Sequence, residues 1–443
     1  MKKAISKLFM VATGLTVFSA CSESEYDLEN LVPNEYHKIL YINKSGLQDQ
    51  ILYQTGEDAT YRVSIIKGGS EPWQTANVSL EVMTQSDVDD KYGMTGIDYR
   101  VLPADNYSIG GTASFTGEDR YKEIDVTLKT DKIGELMASQ PLVEWVLPLK
   151  AVSVTDSVNS NKNHVMIHVT DVVMPRLGFR NTSKIVTWGG TDVSEDISVA
   201  LDVNNQWDFT CEVVKDDRYV DEYNAANGSH YKPLPAEFAS QITFAVGSQG
   251  ALGLKAAVSS LEKGEYMLAL RLQNPSKFAV SDQSVYTLFV HAPELDRTGW
   301  SFIASTEEQG GEGATNGYKE AAFDGDLGTF WHSSWANAFN GVKNPPLPHY
   351  MHIDLGSQEL HRVGLVNRQG NPYVREGEFY MSDGGLNDDE ATWVKIGTFN
   401  LPQNADLAQF AVEPLGKRYL HIKITGSYHG SDTSFAEIYG YGF

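Results

Sequence analysis

The chain has 443 residues, enough for about three domains at ~150 residues each. Its 35 Lys and Arg against 58 Asp and Glu leave a net charge of -23, which argues against nucleic acid or an anionic membrane surface as a partner. With two cysteines, Cys21 and Cys211, stability has to come from packed cores rather than from a disulfide framework.

The first twenty residues, MKKAISKLFMVATGLTVFSA, carry two early lysines, an apolar run and small residues before Cys21. This is the pattern of a signal peptide, and the run is too short and wrongly flanked for a membrane span. FSAC, Phe18 to Cys21, resembles the lipobox of bacterial lipoproteins, with Phe where Leu is commoner. The resemblance implies cleavage before Cys21, acylation of its thiol and a lipid anchor in the outer membrane. Residues 21–36 then form an acidic tether, and SESEYDLEN resembles the segment that sends such lipoproteins to the cell surface in glycan-foraging Gram-negative bacteria.

From residue 37 onward, KILYINKSG, ATYRVSIIKGG and ANVSLEVM alternate apolar with polar residues and end in Gly or Ser, which predicts short antiparallel strands. A first β-sandwich is expected over 37–173 and a second over 174–293, because one order of segments occurs twice. The shared element is Tyr-x-x-Leu-Pro-Ala-acid: Tyr99, Leu102, Pro103, Ala104 and Asp105, then Tyr231, Leu234, Pro235, Ala236 and Glu237. Pro would fix the entry to the next strand and Leu would plug the core. Each unit resembles the β-sandwich surface lipoproteins of the family numbered 1735 among domains of unknown function. Cys211, within WDFTCEVV, reads as a buried inert thiol. HAPELDRTGW, His291 to Trp300, has no periodicity and reads as a linker into a third domain over 298–443.

In that domain MHIDLG and YLHIKIT alternate cleanly, with Leu420, Ile422 and Ile424 inward and Tyr419, His421 and Lys423 outward. AFDGDLGTFWHSSW, Ala322 to Trp335, places Asp324, Asp326 and Thr329 in a Gly-containing loop. Hard oxygen donors in a tight loop suit Ca²⁺, and a plain Asp/Gly turn is the alternative. The chain closes on SFAEIYGYGF, where Glu437 stands alone among apolar residues and needs a compensating cation or hydrogen bond.

The pairing of AFDGDLGTFWHSSW with FAEIYGYGF, joined by YMHIDLG, VGLVNRQGN and FYMSDGG, resembles the discoidin family. That family includes the coagulation-factor type C domains and the family 32 carbohydrate-binding modules. The resemblance implies a galactose-binding-like β-sandwich with a structural calcium. Its side-chain ligands would be Asp324, Asp326, Thr329 and Glu437, and its backbone ligands Ala321 and Ala436. It also implies sugar contacts at His332, Arg368 and Asn371. An aromatic face for a pyranose would come from Trp335, Tyr373 or Tyr428. The whole chain is thus expected to be all-β: two tandem immunoglobulin-like sandwiches followed by a discoidin-type sandwich.

No Gly-x-Ser-x-Gly elbow, His-Glu-x-x-His motif or phosphate-cradling loop occurs, and no region has the size of a catalytic barrel. The expectation is a non-enzymatic, lipid-anchored cell-surface protein that captures glycan for neighbouring glycosidases and importers. An adhesin for host protein, or an unrecognised glycoside hydrolase, is the alternative.

Overall fold

The computed structural model describes residues 32–387 and 392–443. The signal segment, Cys21 and most of the acidic tether lie outside the described residues. The chain divides between Met174 and Pro175 into two compact units, the second of which holds both the second and the third sandwich.

In the first unit one sheet runs Ser157–Val158, Ile39–Ile42, Ala59–Gly68, Tyr121–Leu128, Tyr107–Ile109. The facing sheet runs Gly46–Tyr53, His164–Val173, Glu144–Val152, Ala76–Val82, Ala113–Phe115, with Tyr99–Val101 added beside Glu144–Val152. Alternation along the strands supplies the core between them: Leu40, Ile42, Val63, Ile65, Ile124, Val126, Leu147, Leu149, Val165 and Ile167 all point inward.

The second sandwich repeats this plan strand for strand. One sheet runs Ala279–Val280, Arg176–Phe179, Val193–Leu201, Gly250–Ala256, Glu237–Phe238. The other runs Ser183–Thr187, Val285–His291, Tyr266–Gln273, Phe209–Lys215, Gln241–Phe244, with Lys232–Pro233 beside Tyr266–Gln273. Even the register agrees. Leu102 donates its N–H to Val146 and Leu234 donates its N–H to Met267, each 2.8 to 2.9 Å from the carbonyl, and both leucines are buried. The repeated Leu-Pro therefore does what the sequence suggests: it sinks one apolar side chain where the chain crosses from one sheet to the other. Cys211 is buried in the second core, and burial pushes its thiol up to about 11, so it is inert.

Short helices interrupt the strands at Gln85–Tyr92, Thr130–Ser139 and Asp217–Asn227. The last starts on Asp216, whose carboxylate accepts the Tyr219 N–H, and stops at Gly228 in the left-handed region.

The third sandwich stacks Ser301–Ala304, His349–Asp354, Tyr419–Ser427, Val374–Ser382, Val394–Asn400 against Trp331–His332, Ser434–Gly442, Leu360–Asn367, Ala408–Ala411. Leu420, Ile422 and Ile424 fill its core as the alternation predicts. His421 points outward, as the same alternation expects. Although it points away from the core, it is buried among Tyr350, His352, Tyr380 and Trp393 on the outer face of the sheet.

The expected linker is also not a free tether. Leu295 donates its N–H to Gly440 at 2.9 Å and buries its side chain in the third core with Trp300. Arg362 of the third sandwich forms an ion pair with Glu265 of the second, Nε to Oε1 2.7 Å, and reaches the Tyr231 hydroxyl. Phe443 meets the Trp188 ring edge to face, centroids 5.4 Å apart. Pro and charge suppressed the periodicity of residues 291–300, yet Ala292, Leu295 and Trp300 are buried between the exposed Glu294, Asp296, Thr298 and Gly299.

Candidate functional site

Two clusters at one end of the third sandwich contain the residues singled out in the sequence. The first is the loop after the 3₁₀ turn Lys319–Ala322. Asp324 receives the Thr329 hydroxyl on both carboxylate oxygens, at 2.9 and 2.7 Å, and the Asp326 N–H at 2.9 Å. Gly325, in the left-handed region, aims its N–H at Glu437 Oε1, 2.5 Å away. The loop and the last strand therefore meet, as the distant pair of motifs requires, and Ala321 and Ala436 lie buried beside them.

The Asp326 carboxylate does not join this group. It accepts the Gly328 N–H at 2.8 Å and caps its own turn, while its carbonyl receives the Thr329 hydroxyl at 2.8 Å. Among the described residues no group of three or more His, Cys, Asp or Glu side chains is placed to hold a metal. The donors that converge are Asp324, the Thr329 hydroxyl and Glu437, hard oxygens of the kind Ca²⁺ takes together with backbone carbonyls.

The compensating cation that a buried Glu437 demands is present within the chain. Arg297 Nη1 lies 2.5 Å from Glu437 Oε2 and donates to the Ile438 carbonyl at 3.1 Å, with its guanidinium over the Tyr439 ring. Glu437 is fully buried, and burial raises its pKa while Arg297 and the Gly325 N–H pull it back. Sequence reading missed this pair because Arg297 stands in the stretch taken for a linker.

The second cluster is a rim of loops. Trp335 is 42% exposed and donates its indole N–H to Glu312 Oε1 at 2.9 Å. Arg368, at the end of the strand Leu360–Asn367, faces the same carboxylate with Nη1 3.3 Å and Nη2 3.5 Å away, and lies over the Phe330 ring at 3.7 Å. Its partner is thus Glu312, while Asp383 pairs with Lys417.

His332 is buried, with Nδ1 2.6 Å from the Ser333 carbonyl, and meets Tyr373 edge to face. Tyr373 stacks in turn on His429, centroids 5.0 Å apart. Asn371 is exposed and its carbonyl accepts the Ser434 hydroxyl at 3.4 Å. Tyr428 turns its hydroxyl to the Leu401 carbonyl at 2.8 Å, so that end of its ring is tied to a neighbouring loop. The structure therefore joins Trp335 to Arg368 through Glu312 and His332 to Tyr373, and Tyr428 meets the second pair through its backbone, its N–H donating to the Tyr373 carbonyl at 2.7 Å.

What shapes the rim is Glu308, which sequence gave no reason to select among 58 acids. It is fully buried, and its carboxylate accepts the N–H groups of Trp335, Ala336 and Asn337 at 2.6, 2.7 and 3.1 Å. Burial alone would raise its pKa, but these three donors outweigh it and hold the carboxyl below the usual range. Further along, Phe339 and Val342 exchange two backbone hydrogen bonds at 2.9 Å around Asn340 and Gly341, both in the left-handed region. The long segment after Trp335 is thus a clamped base with a tight two-residue turn at its tip.

A family model described as the F5/8 type C domain matches residues 301–438. The chain carries an F5/8 type C, or discoidin, domain. A second family model, described as an N-terminal domain, matches twice, at 34–158 and 179–278, one match on each tandem sandwich. Among solved structures the discoidin region is similar to the C-terminal domain of a chitobiase from Bacteroides fragilis: 28% identity over 34% of this chain and 97% of that one, TM-score 0.29. A putative chitobiase fragment from Bacteroides thetaiotaomicron gives 25% identity over 34% and 92%, TM-score 0.28. The family 32 carbohydrate-binding module of C. perfringens NanJ, solved with galactose, gives 18% identity over 34% and 98%, TM-score 0.27.

Proposed function

We propose that this protein is a cell-surface lipoprotein that binds glycan through the rim of its discoidin domain and presents it to neighbouring glycan-degrading enzymes and importers. The observation that carries the reading is the Trp335–Glu312–Arg368 group: a half-exposed indole beside a guanidinium and a carboxylate, on loops of an F5/8 type C domain. A pyranose offers an apolar face for the ring and paired hydroxyls for the polar groups. His332, Asn371 and Tyr373 line the continuation of the same loops. The lipobox at Cys21 supports the anchor, and the acidic tether supports a surface location. The protein itself acts as a binder rather than a catalyst.

The test is a glycan array probed with the full chain. Wild type binds a defined set of saccharides, and Arg368→Ala lowers that binding at least about tenfold, the scale of losing a hydrogen bond to a charged group. Binding to host protein that survives enzymatic removal of its glycans would replace this reading with adhesion. Release of reducing sugar that depends on one carboxylate would replace it with glycoside hydrolysis.

We further propose that Ca²⁺ seats at Asp324, Thr329 and Glu437, completed by the Ala321 and Ala436 carbonyls. Binding confined to the folded state stabilises it. Excess chelator is therefore expected to lower the melting temperature of the discoidin domain and added Ca²⁺ to restore it; an unchanged melt removes calcium from the account.

A further inference from the structure

We infer that Glu312 makes the discoidin rim select neutral saccharides over acidic ones; this rests on the glycan-binding reading above. An arginine left free at such a rim would take a sugar carboxylate or sulfate in a bidentate fork. Here the fork is already engaged. Arg368 Nη1 faces Glu312 Oε1 at 3.3 Å and Nη2 faces Oε2 at 3.5 Å, so both ends of the guanidinium are directed at one protein carboxylate.

Most of the neighbouring charges reinforce this, the exposed Lys343 beside Ser334 being the exception. Glu308 is buried beneath Trp335, and Glu307 is buried against Gln309 and the Lys319 N–H. Lys319 gives its ammonium to Glu320 at 2.8 Å and Glu307 at 3.9 Å, and so adds no free cation to the rim. An anionic sugar would have to displace Glu312 from Arg368 and then remain beside it, a like-charge contact at short range. A neutral sugar meets no such cost, because its hydroxyls can donate to Glu312 and accept from Arg368 at once.

The same carboxylate positions the aromatic platform. Glu312 links the Trp335 indole N–H, at 2.9 Å, to Arg368. Glu312→Gln separates the two roles: its amide oxygen can still accept from Trp335, but the negative charge is gone.

The experiment compares full-length wild type and Glu312→Gln on an array of matched glycans that differ only by a sialic acid, a uronate or a sulfate group. Wild type is expected to bind the neutral members and discriminate against the acidic ones. In Glu312→Gln the neutral-to-acidic ratio is expected to fall about tenfold, alongside some loss of neutral binding because Glu312 is itself a sugar contact. An unchanged ratio, or a wild type that prefers acidic glycans, overturns the inference and leaves glycan binding standing. A wild type that binds no saccharide overturns both.

A second measurement needs no variant. Residual binding of acidic glycans to wild type should strengthen several-fold between low and high salt, as screening relieves repulsion, while neutral binding stays level. Acidic binding that weakens with salt contradicts the assignment.

Discussion

Tyr99 and Glu144 in the first sandwich hold the same paired positions as Tyr231 and Glu265 in the second, yet the two pairs meet different surroundings. In the first copy Glu144 Oε2 lies 2.8 Å from His168 Nε2, whose other ring nitrogen lies 2.8 Å from Asp49; the Glu144 side chain remains 50% exposed. In the second copy Glu265 is 6% exposed, because Arg362 of the discoidin domain covers it and reaches on to Tyr231. One inherited Tyr–Glu pair has thus served in one place as a half-solvated surface group and in the other as the polar centre of a seam between two sandwiches.

The comparison predicts very unequal costs. Glu265→Ala strands Arg362 in a buried seam, and should destabilise the second unit by ~3–5 kcal/mol, read as a melting transition lowered by about 10 °C. A loss under about 1 kcal/mol would show that the seam is hydrated in solution and would erase the contrast.

The next effect comes from His291, whose Nε2 lies 2.8 Å from the Tyr231 hydroxyl. Burial first, and Arg362 second, push its pKa down to about 4 from an ordinary 6.5. Because the unfolded chain binds this proton more tightly than the folded one, the stability is complete above about 6.5 and is lost as pH falls from there toward 4. Melting of the second unit should decline across that window, and His291→Gln should flatten the decline; identical slopes in the two proteins would exclude His291 as the cause. The smallest effect belongs to Glu144→Ala, expected to cost ~0–1 kcal/mol as for other exposed ion pairs. If thermal unfolding of the first unit responds as strongly as the second unit does to Glu265→Ala, the two patches are energetically alike after all.

Much of this architecture was legible in the chain. Alternation in YLHIKIT located the discoidin core at Leu420, Ile422 and Ile424, and the recurring Tyr-x-x-Leu-Pro-Ala-acid element announced two sandwiches of one topology. The helix Asp217–Asn227 carried its cap at Asp216 and its stop at Gly228 in plain view, but a short polar helix among strands has weak periodicity. What could not be read were pairings between charges far apart in sequence. Nothing local distinguishes Glu308, Glu312 or Glu265 from other acids, and the pairs Arg368–Glu312, Arg362–Glu265 and Arg297–Glu437 are fixed only once the sheets bring them together. The resemblance pointed to the aromatic and histidine positions, whereas the acids that hold Trp335 and Arg368 lie far from them in sequence.

The clamp at Glu308 has a practical consequence for engineering. Because Trp335, Ala336 and Asn337 are gripped through backbone N–H groups, the Asn337 amide holds the Gln309 carbonyl and the tip closes on Asn340 and Gly341, the base and apex are specified without the side chains of Ala338 and Phe339. Those two positions are a natural cassette, in which randomised side chains could retune recognition while the supporting scaffold keeps its shape.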